Sequence, residues 1–118
     1  MDKKIMVCDD DQGILEMVEM IIEEYGYNVC TEANSMQLLQ TMVREKPDLL
    51  LLDIWMPVLS GDQVLKSLRA DSKFDAVPVI MYSASAEGAA IAKKSGADDY
   101  LSKPFDIDIL VEKIKKLI

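Results

Sequence analysis

Four consecutive leucines, Leu49 to Leu52, run directly into Asp53, with Pro47-Asp48 in front of them and Pro57 shortly behind. So apolar a run, bounded in this way, reads as a strand buried on both faces, which is how a central strand looks in a parallel sheet covered by helices. A carboxylate follows such a run where the strand ends and delivers it to a crevice. Pro57 cannot extend a ladder, and Ser60-Gly61 mark a loop before the next helix. The spacing therefore places Asp53 at the carboxyl end of a strand, and the rest of the chain sorts around it.

Lys3 to Cys8 reads as a first strand, closed by Asp9-Asp10-Asp11. From Ile14 the apolar residues Leu15, Val18, Ile21, Ile22 and Tyr25 follow a helical stripe that Gly26 stops. Tyr27 to Thr31 is a second strand, and Asn34 or Ser35 can cap a helix with Leu38, Leu39, Met42 and Val43 facing inward. Beyond Asp53, Ser60 with Gln63 fits a capping box for a helix that buries Val64, Leu65 and Leu68. Pro78 to Tyr82 is a fourth strand ending at Ser83, and Ser85 is expected to cap a helix running to Ser95, with Gly96 as terminator. Gly88 inside that helix costs about 1 kcal/mol relative to Ala, which makes it the least secure of the set. Asp98 to Leu101 is a short fifth strand, and Asp106 caps a last helix with the stripe Leu110, Val111, Ile114, Leu117 and Ile118. Strands alternating with helices argue for an α/β fold, a doubly wound five-stranded parallel sheet.

With 118 residues, half of them apolar, the chain is expected to form one domain over residues 1–118. A formal charge of −8 without clustered Lys or Arg argues against direct nucleic-acid binding. No apolar run approaches bilayer-spanning length and the N-terminus lacks a signal-peptide core, so a cytoplasmic protein without membrane contact is expected. Cys8 and Cys30 fall in strands and form no CxxC motif, which suits free buried thiols.

In an open parallel sheet the carboxyl ends of the strands share one edge, where the reactive crevice lies. That edge collects Asp9 and Asp10 after the first strand, Asp53 after the third, Ser83 after the fourth and Lys103 after the fifth. Clustered carboxylates repel one another unless a cation joins them, and hard oxygen ligands in a chain without histidine suit Mg²⁺, or Mn²⁺, rather than Zn²⁺. The set points to phosphoryl transfer, with Asp53 as nucleophile and Lys103 and the metal stabilising charge on the transferred group.

These residues resemble the bacterial response-regulator receiver domain of two-component signalling, in its chemotaxis-regulator-like form. The resemblance rests on Val7-Cys8-Asp9-Asp10-Asp11, Leu52-Asp53-Ile54-Trp55-Met56-Pro57, Ser60-Gly61, Met81-Tyr82-Ser83-Ala84 and the run from Gly96 to Pro104-Phe105, in the family's order and spacing. It implies a flavodoxin-like (βα)5 fold with strand order 2-1-3-4-5 and a cis Lys103-Pro104 peptide. It implies a phosphorelay in which Asp53 takes a phosphoryl group from a sensor histidine kinase or phosphotransfer protein and becomes an aspartyl phosphate. By the same resemblance Asp10 and Asp53 bind Mg²⁺ directly, Asp9 does so through water, and the Trp55 backbone carbonyl completes the protein ligands. Ser83 and Lys103 contact the phosphoryl group, and Tyr100 occupies the switch-aromatic position. Ser83 moving inward is expected to open space that Tyr100 fills, reshaping the face made by the fourth helix, fifth strand and fifth helix, which meets an output domain or partner. Such a protein is a signalling switch that catalyses its own phosphoryl transfer and slow autodephosphorylation, rather than a metabolic enzyme.

Three other readings fit less of the sequence. A haloacid-dehalogenase-like phosphatase needs a second Asp where Trp55 stands, and a flavodoxin-like cofactor binder needs a glycine- or hydroxyl-rich phosphate loop after the first strand. The remaining alternative is a receiver-shaped interaction scaffold that works without phosphorylation, against which the intact acidic and lysine set argues.

Overall fold

A computed structural model describes residues 2–104 and 106–118; Phe105, part of the last motif above, lies outside them. Five strands, β1 (Lys4–Cys8), β2 (Asn28–Glu32), β3 (Leu49–Asp53), β4 (Val79–Ser83) and β5 (Asp99–Ser102), form one parallel sheet in the order β2-β1-β3-β4-β5. Between and after them come α1 (Gln12–Glu24), α2 (Leu38–Glu45), α3 (Gly61–Ala70), α4 (Gly88–Ser95) and α5 (Ile107–Leu117). The expected α/β architecture and strand order are both present. None of the described helices is long and apolar enough to cross a membrane.

The alternation of side chains along each strand divides the core in two. Ile5, Val7, Leu49, Leu51, Ile80 and Tyr82 pack with Leu15, Val18 and Ile22 of α1 and with Leu110 and Ile114 of α5. Met6, Cys8, Leu50, Leu52, Val79 and Met81 pack on the opposite face with Leu38 and Met42 of α2, with Val64, Leu65 and Leu68 of α3, and with Ala92 of α4. All five residues of β3 are buried, as the leucine run requires of a strand covered on both sides. Cys8 and Cys30 are free, and each sulfur lies beside a methionine sulfur, Met56 at 3.8 Å and Met6 at 3.7 Å.

Local differences from the sequence reading have identifiable causes. Asn34 caps a short 3₁₀ turn, Ser35–Gln37, by accepting the Met36 N–H, and this turn resets the phase of the helix that follows. The inner face of α2 is therefore Leu38, Thr41 and Met42, while Leu39 and Val43 are exposed. Thr41 is accommodated because its hydroxyl donates to Glu32 at 2.5 Å. Tyr25, at the end of the α1 stripe, is also exposed. Ser85 caps a turn instead of a helix: its Oγ accepts the Glu87 N–H and its carbonyl accepts the Gly88 N–H, so α4 starts only at Gly88.

The loop after β3 contains Val58 at φ +69°, inside a tight turn closed by the Leu59 N–H on the Pro57 carbonyl at 2.8 Å. A β-branched side chain in the left-handed region is strained. Val58 is 83% exposed, so replacing it sacrifices little packing. Val58→Asn is expected to raise the unfolding free energy by about 1 kcal/mol, read from a urea midpoint. An unchanged midpoint would mean that the turn carries no strain.

Candidate functional site

The three carboxylates gather at the carboxyl edge of the sheet because β1 and β3 are adjacent and in register, with Cys8 opposite Leu52. Asp9 and Asp53 then each stand one step past that pair. A carboxylate oxygen from each of Asp9, Asp10 and Asp53 lies within 4.8 Å of the others, with Asp9 and Asp53 buried and Asp10 open to solvent. Lys103, delivered by the cis Lys103-Pro104 turn after β5, sets its Nζ 3.4 Å from Asp9 Oδ2 and 3.4 Å from Asp53 Oδ1. Among the described residues this leaves three carboxylates around one ammonium. The excess negative charge, the oxygen donors and the opening on the Asp10 side suit a small divalent cation such as Mg²⁺.

Electrostatics agree with that imbalance. Burial, and then the charge of Asp9, push the Asp53 carboxyl up from 3.8 to about 6, with Lys103 pulling the other way. The site thus resists a further negative charge until a cation joins it.

Gly61 fixes the backbone behind Asp53. Its N–H donates to the Ile54 carbonyl at 2.7 Å, and a side chain there would collide with the Asp53 carbonyl oxygen and with Ile54 Cα. Gln63 accepts the Ser60 N–H at 3.0 Å, the expected cap of α3. Trp55 is half exposed on the same loop.

Ser83 ends β4, fully buried, and its Oγ accepts the Ser85 N–H at 3.0 Å. Accepting there does not use the hydroxyl's one hydrogen. The Tyr100 hydroxyl donates to the Ser83 carbonyl at 3.1 Å and to that of Ser85 at 3.4 Å, so its ring is tied to the backbone that carries Ser83.

Two residues of the site have no role in the sequence reading. Gly88 sits where a Cβ would overlap the Tyr100 hydroxyl and come within 2.9 Å of Ser83 Cβ. Its value is the space it leaves. Gly88 is the first residue of α4 and not in its interior, so alanine gains little there from helix propensity, and Gly88→Ala is expected to lose about 1–3 kcal/mol through overpacking and to drive Tyr100 outward. Thermal unfolding and the NMR shifts of the Tyr100 ring would check this, and a gain in stability with an unmoved ring would refute it. The other residue is Tyr82, opposite Asp53 in the β3–β4 register, whose hydroxyl donates to Asp9 Oδ2 at 2.6 Å. Burial, and then the facing Asp9 charge, push its phenol well above its usual range, so it stays a donor.

Comparison with known proteins points to one family. The family profile of the response regulator receiver domain matches residues 5–115. The chain is 34% identical over 120 residues to the alkaline phosphatase synthesis transcriptional regulatory protein PhoP of Bacillus subtilis, covering all of this chain and 49% of that protein. It is 37% identical over 118 residues to the DNA-binding response regulator MtrA of Mycobacterium tuberculosis, covering 98% of this chain and 50% of that one. The chain thus spans about half the length of these curated relatives. Among solved structures, the chemotaxis protein CheY4 of Vibrio cholerae superposes with a TM-score of 0.91 at 28% identity, over the whole of both chains.

Proposed function

The chain belongs to the response regulator receiver domain family of two-component signalling, and from that premise we propose that Asp53 is its phosphoacceptor, taking the group from a phosphohistidine of a sensor histidine kinase or phosphotransfer protein. The observation that carries this reading is the setting of Asp53: buried at the end of the central strand, beside Asp9 and Asp10, with the Lys103 ammonium 3.4 Å from its Oδ1. An Asp53 oxygen bonds to phosphorus while the P–N bond of the donor breaks, and the departing imidazole keeps the electron pair and takes up a proton. Lys103 meets the transferred oxygens with a fixed positive charge, and the Ser83 hydroxyl donates to one of them.

Asp10 and Asp53 directly, Asp9 through water and the Trp55 backbone carbonyl would hold Mg²⁺, with Mn²⁺ as a substitute. Bound there, the ion supplies positive charge to the phosphoryl oxygens and relieves repulsion among the carboxylates. Ser83 and Tyr100 form the switch, because the hydrogen bond from Tyr100 to the Ser83 carbonyl makes any movement of that segment felt by the ring. Moving a two-state equilibrium from 1:99 to 99:1 takes about 5.5 kcal/mol. Hydrogen bonds to a charged group contribute about 1.5–3 kcal/mol each, so Ser83, Lys103 and a backbone donor supply most of it. The face made by α4, β5 and α5 then meets an output domain or partner protein. Residues 1–118 act as one cytoplasmic receiver domain in this reading, without nucleic-acid or membrane contacts of their own.

Trp55 is the sole tryptophan and stands two residues from Asp53, which makes it a reporter. Mg²⁺ with beryllium fluoride, a stable phosphoryl mimic, is expected to change its fluorescence in the wild-type protein and not in Asp53→Asn. An unchanged wild-type signal would favour the phosphorylation-independent scaffold.

A further inference from the structure

Tyr82 touches two members of the site at once while taking no part in the chemistry proposed for it. Its hydroxyl is 2.6 Å from Asp9 Oδ2, and the Lys103 Nζ stands 4.8 Å from the centroid of its ring. Asp9 is gripped from both sides: Oδ1 accepts the Asp11 N–H at 2.9 Å, and Oδ2 is shared between the Tyr82 hydroxyl and Lys103 at 3.4 Å. Register explains the meeting, since Tyr82 lies opposite Asp53 and points to the same face of the sheet as Val7 and Leu51, the side from which Asp9 and Asp53 emerge. A leucine or valine at this position would keep the strand apolar but leave part of this fully buried volume empty and offer neither contact.

Resting on the reading of Asp53 as phosphoacceptor, we infer that Tyr82 is a positioning residue for the reaction: its hydroxyl holds the Asp9 carboxylate in its metal-binding orientation, and its ring holds the Lys103 ammonium between Asp9 and Asp53. The hydroxyl matters because Asp9 is buried and its Oδ2 must find a donor. Without Tyr82 that donor is Lys103 alone, which is drawn onto Asp9 and away from Asp53. An incoming cation must then break a tightened ion pair before it can bind. The ring matters differently, as an aromatic face that steadies the ammonium at the distance from which it serves both carboxylates. Asp9 meets the ion through water in this reading, and hydrogen-bond partners that orient such outer groups ordinarily tune affinity for the ion.

The two halves of the side chain separate experimentally. Mg²⁺ binding to the unphosphorylated protein is measured by isothermal titration calorimetry, and the rate of phosphorylation by acetyl phosphate is followed as a function of Mg²⁺. Tyr82→Phe, which keeps the ring, is expected to raise the Mg²⁺ dissociation constant about tenfold and to recover the wild-type rate at saturating Mg²⁺. Tyr82→Met, which loses the ring, is expected to stay about tenfold slow or worse even when saturated. Wild-type Mg²⁺ affinity in Tyr82→Phe overturns the role of the hydroxyl, and a wild-type saturated rate in Tyr82→Met overturns that of the ring. Circular dichroism checks folding; if the methionine variant does not fold, Tyr82→Leu takes its place in the test of the ring, while Tyr82→Phe tests the hydroxyl in either case. A wild-type protein that takes no phosphoryl group would remove the reading of Asp53 instead, while the calorimetric comparison would still test the hold of Tyr82 on Asp9.

Discussion

Replacing Lys103 with methionine is expected to slow phosphorylation by acetyl phosphate by about 10²–10³-fold, the usual cost of losing one fixed donor to developing oxyanion charge. The same substitution should destabilise the metal-free protein, because it leaves Asp9 and Asp53, both buried, without the ammonium that stands 3.4 Å from each. Breaking a buried pair costs about 3–5 kcal/mol. Here Lys103 is 20% exposed and its contacts are long, so a loss of about 2–3 kcal/mol at pH 8 is expected. Added Mg²⁺ should return part of that stability, since it brings positive charge to the same carboxylates. Urea midpoints with Mg²⁺ and with chelator read the second effect, and intact-mass kinetics read the first. A variant as fast and as stable as wild type would show that Lys103 is a surface charge and no part of the site.

The second large effect has the opposite sign. Asp53 is held at about 6 in the folded protein against an ordinary 3.8, so between those values the folded state binds the proton that the unfolded state has released. Stability is therefore present at low pH and falls as pH rises from about 4 to about 6. At about 1.4 kcal/mol per pKa unit, the loss approaches 2–3 kcal/mol above pH 7. Asparagine carries no charge to repel. Asp53→Asn should be more stable than wild type by about 2–3 kcal/mol at pH 8 with chelator present, by much less at pH 4, and the difference should narrow when Mg²⁺ is added. Equal urea midpoints at both pH values would contradict the repulsion that the geometry implies.

Much of this was legible in the chain because the strong signals are local. The leucine run gave β3 its two-sided burial, and the residues that follow each strand, Asp9, Asp10, Asp53, Ser83 and Lys103, needed only the rule that parallel strands share a carboxyl edge. Helix faces were less legible where a short turn changed the phase. Leu39 and Val43 fit a helical stripe that begins at Asn34, but the 3₁₀ turn there rotates them to solvent. Ser85 carries the chemistry of a helix cap and spends it on a turn. Tyr82 and Gly88 were out of reach for a different reason, since both depend on register between elements. The role of Tyr82 follows from standing opposite Asp53, and that of Gly88 from standing against Tyr100, neither of which spacing along one segment reveals. A tyrosine at the end of an otherwise aliphatic buried strand was the available hint, because a buried phenol needs a partner for its hydroxyl.

Intact-mass measurement after incubation with acetyl phosphate bears most directly on the central claim. Wild-type protein with Mg²⁺ is expected to gain one phosphoryl group, and to gain none with the metal chelated or with Asp53 changed to asparagine. A phosphoryl group that persists in Asp53→Asn, or that forms without a divalent cation, would contradict the account.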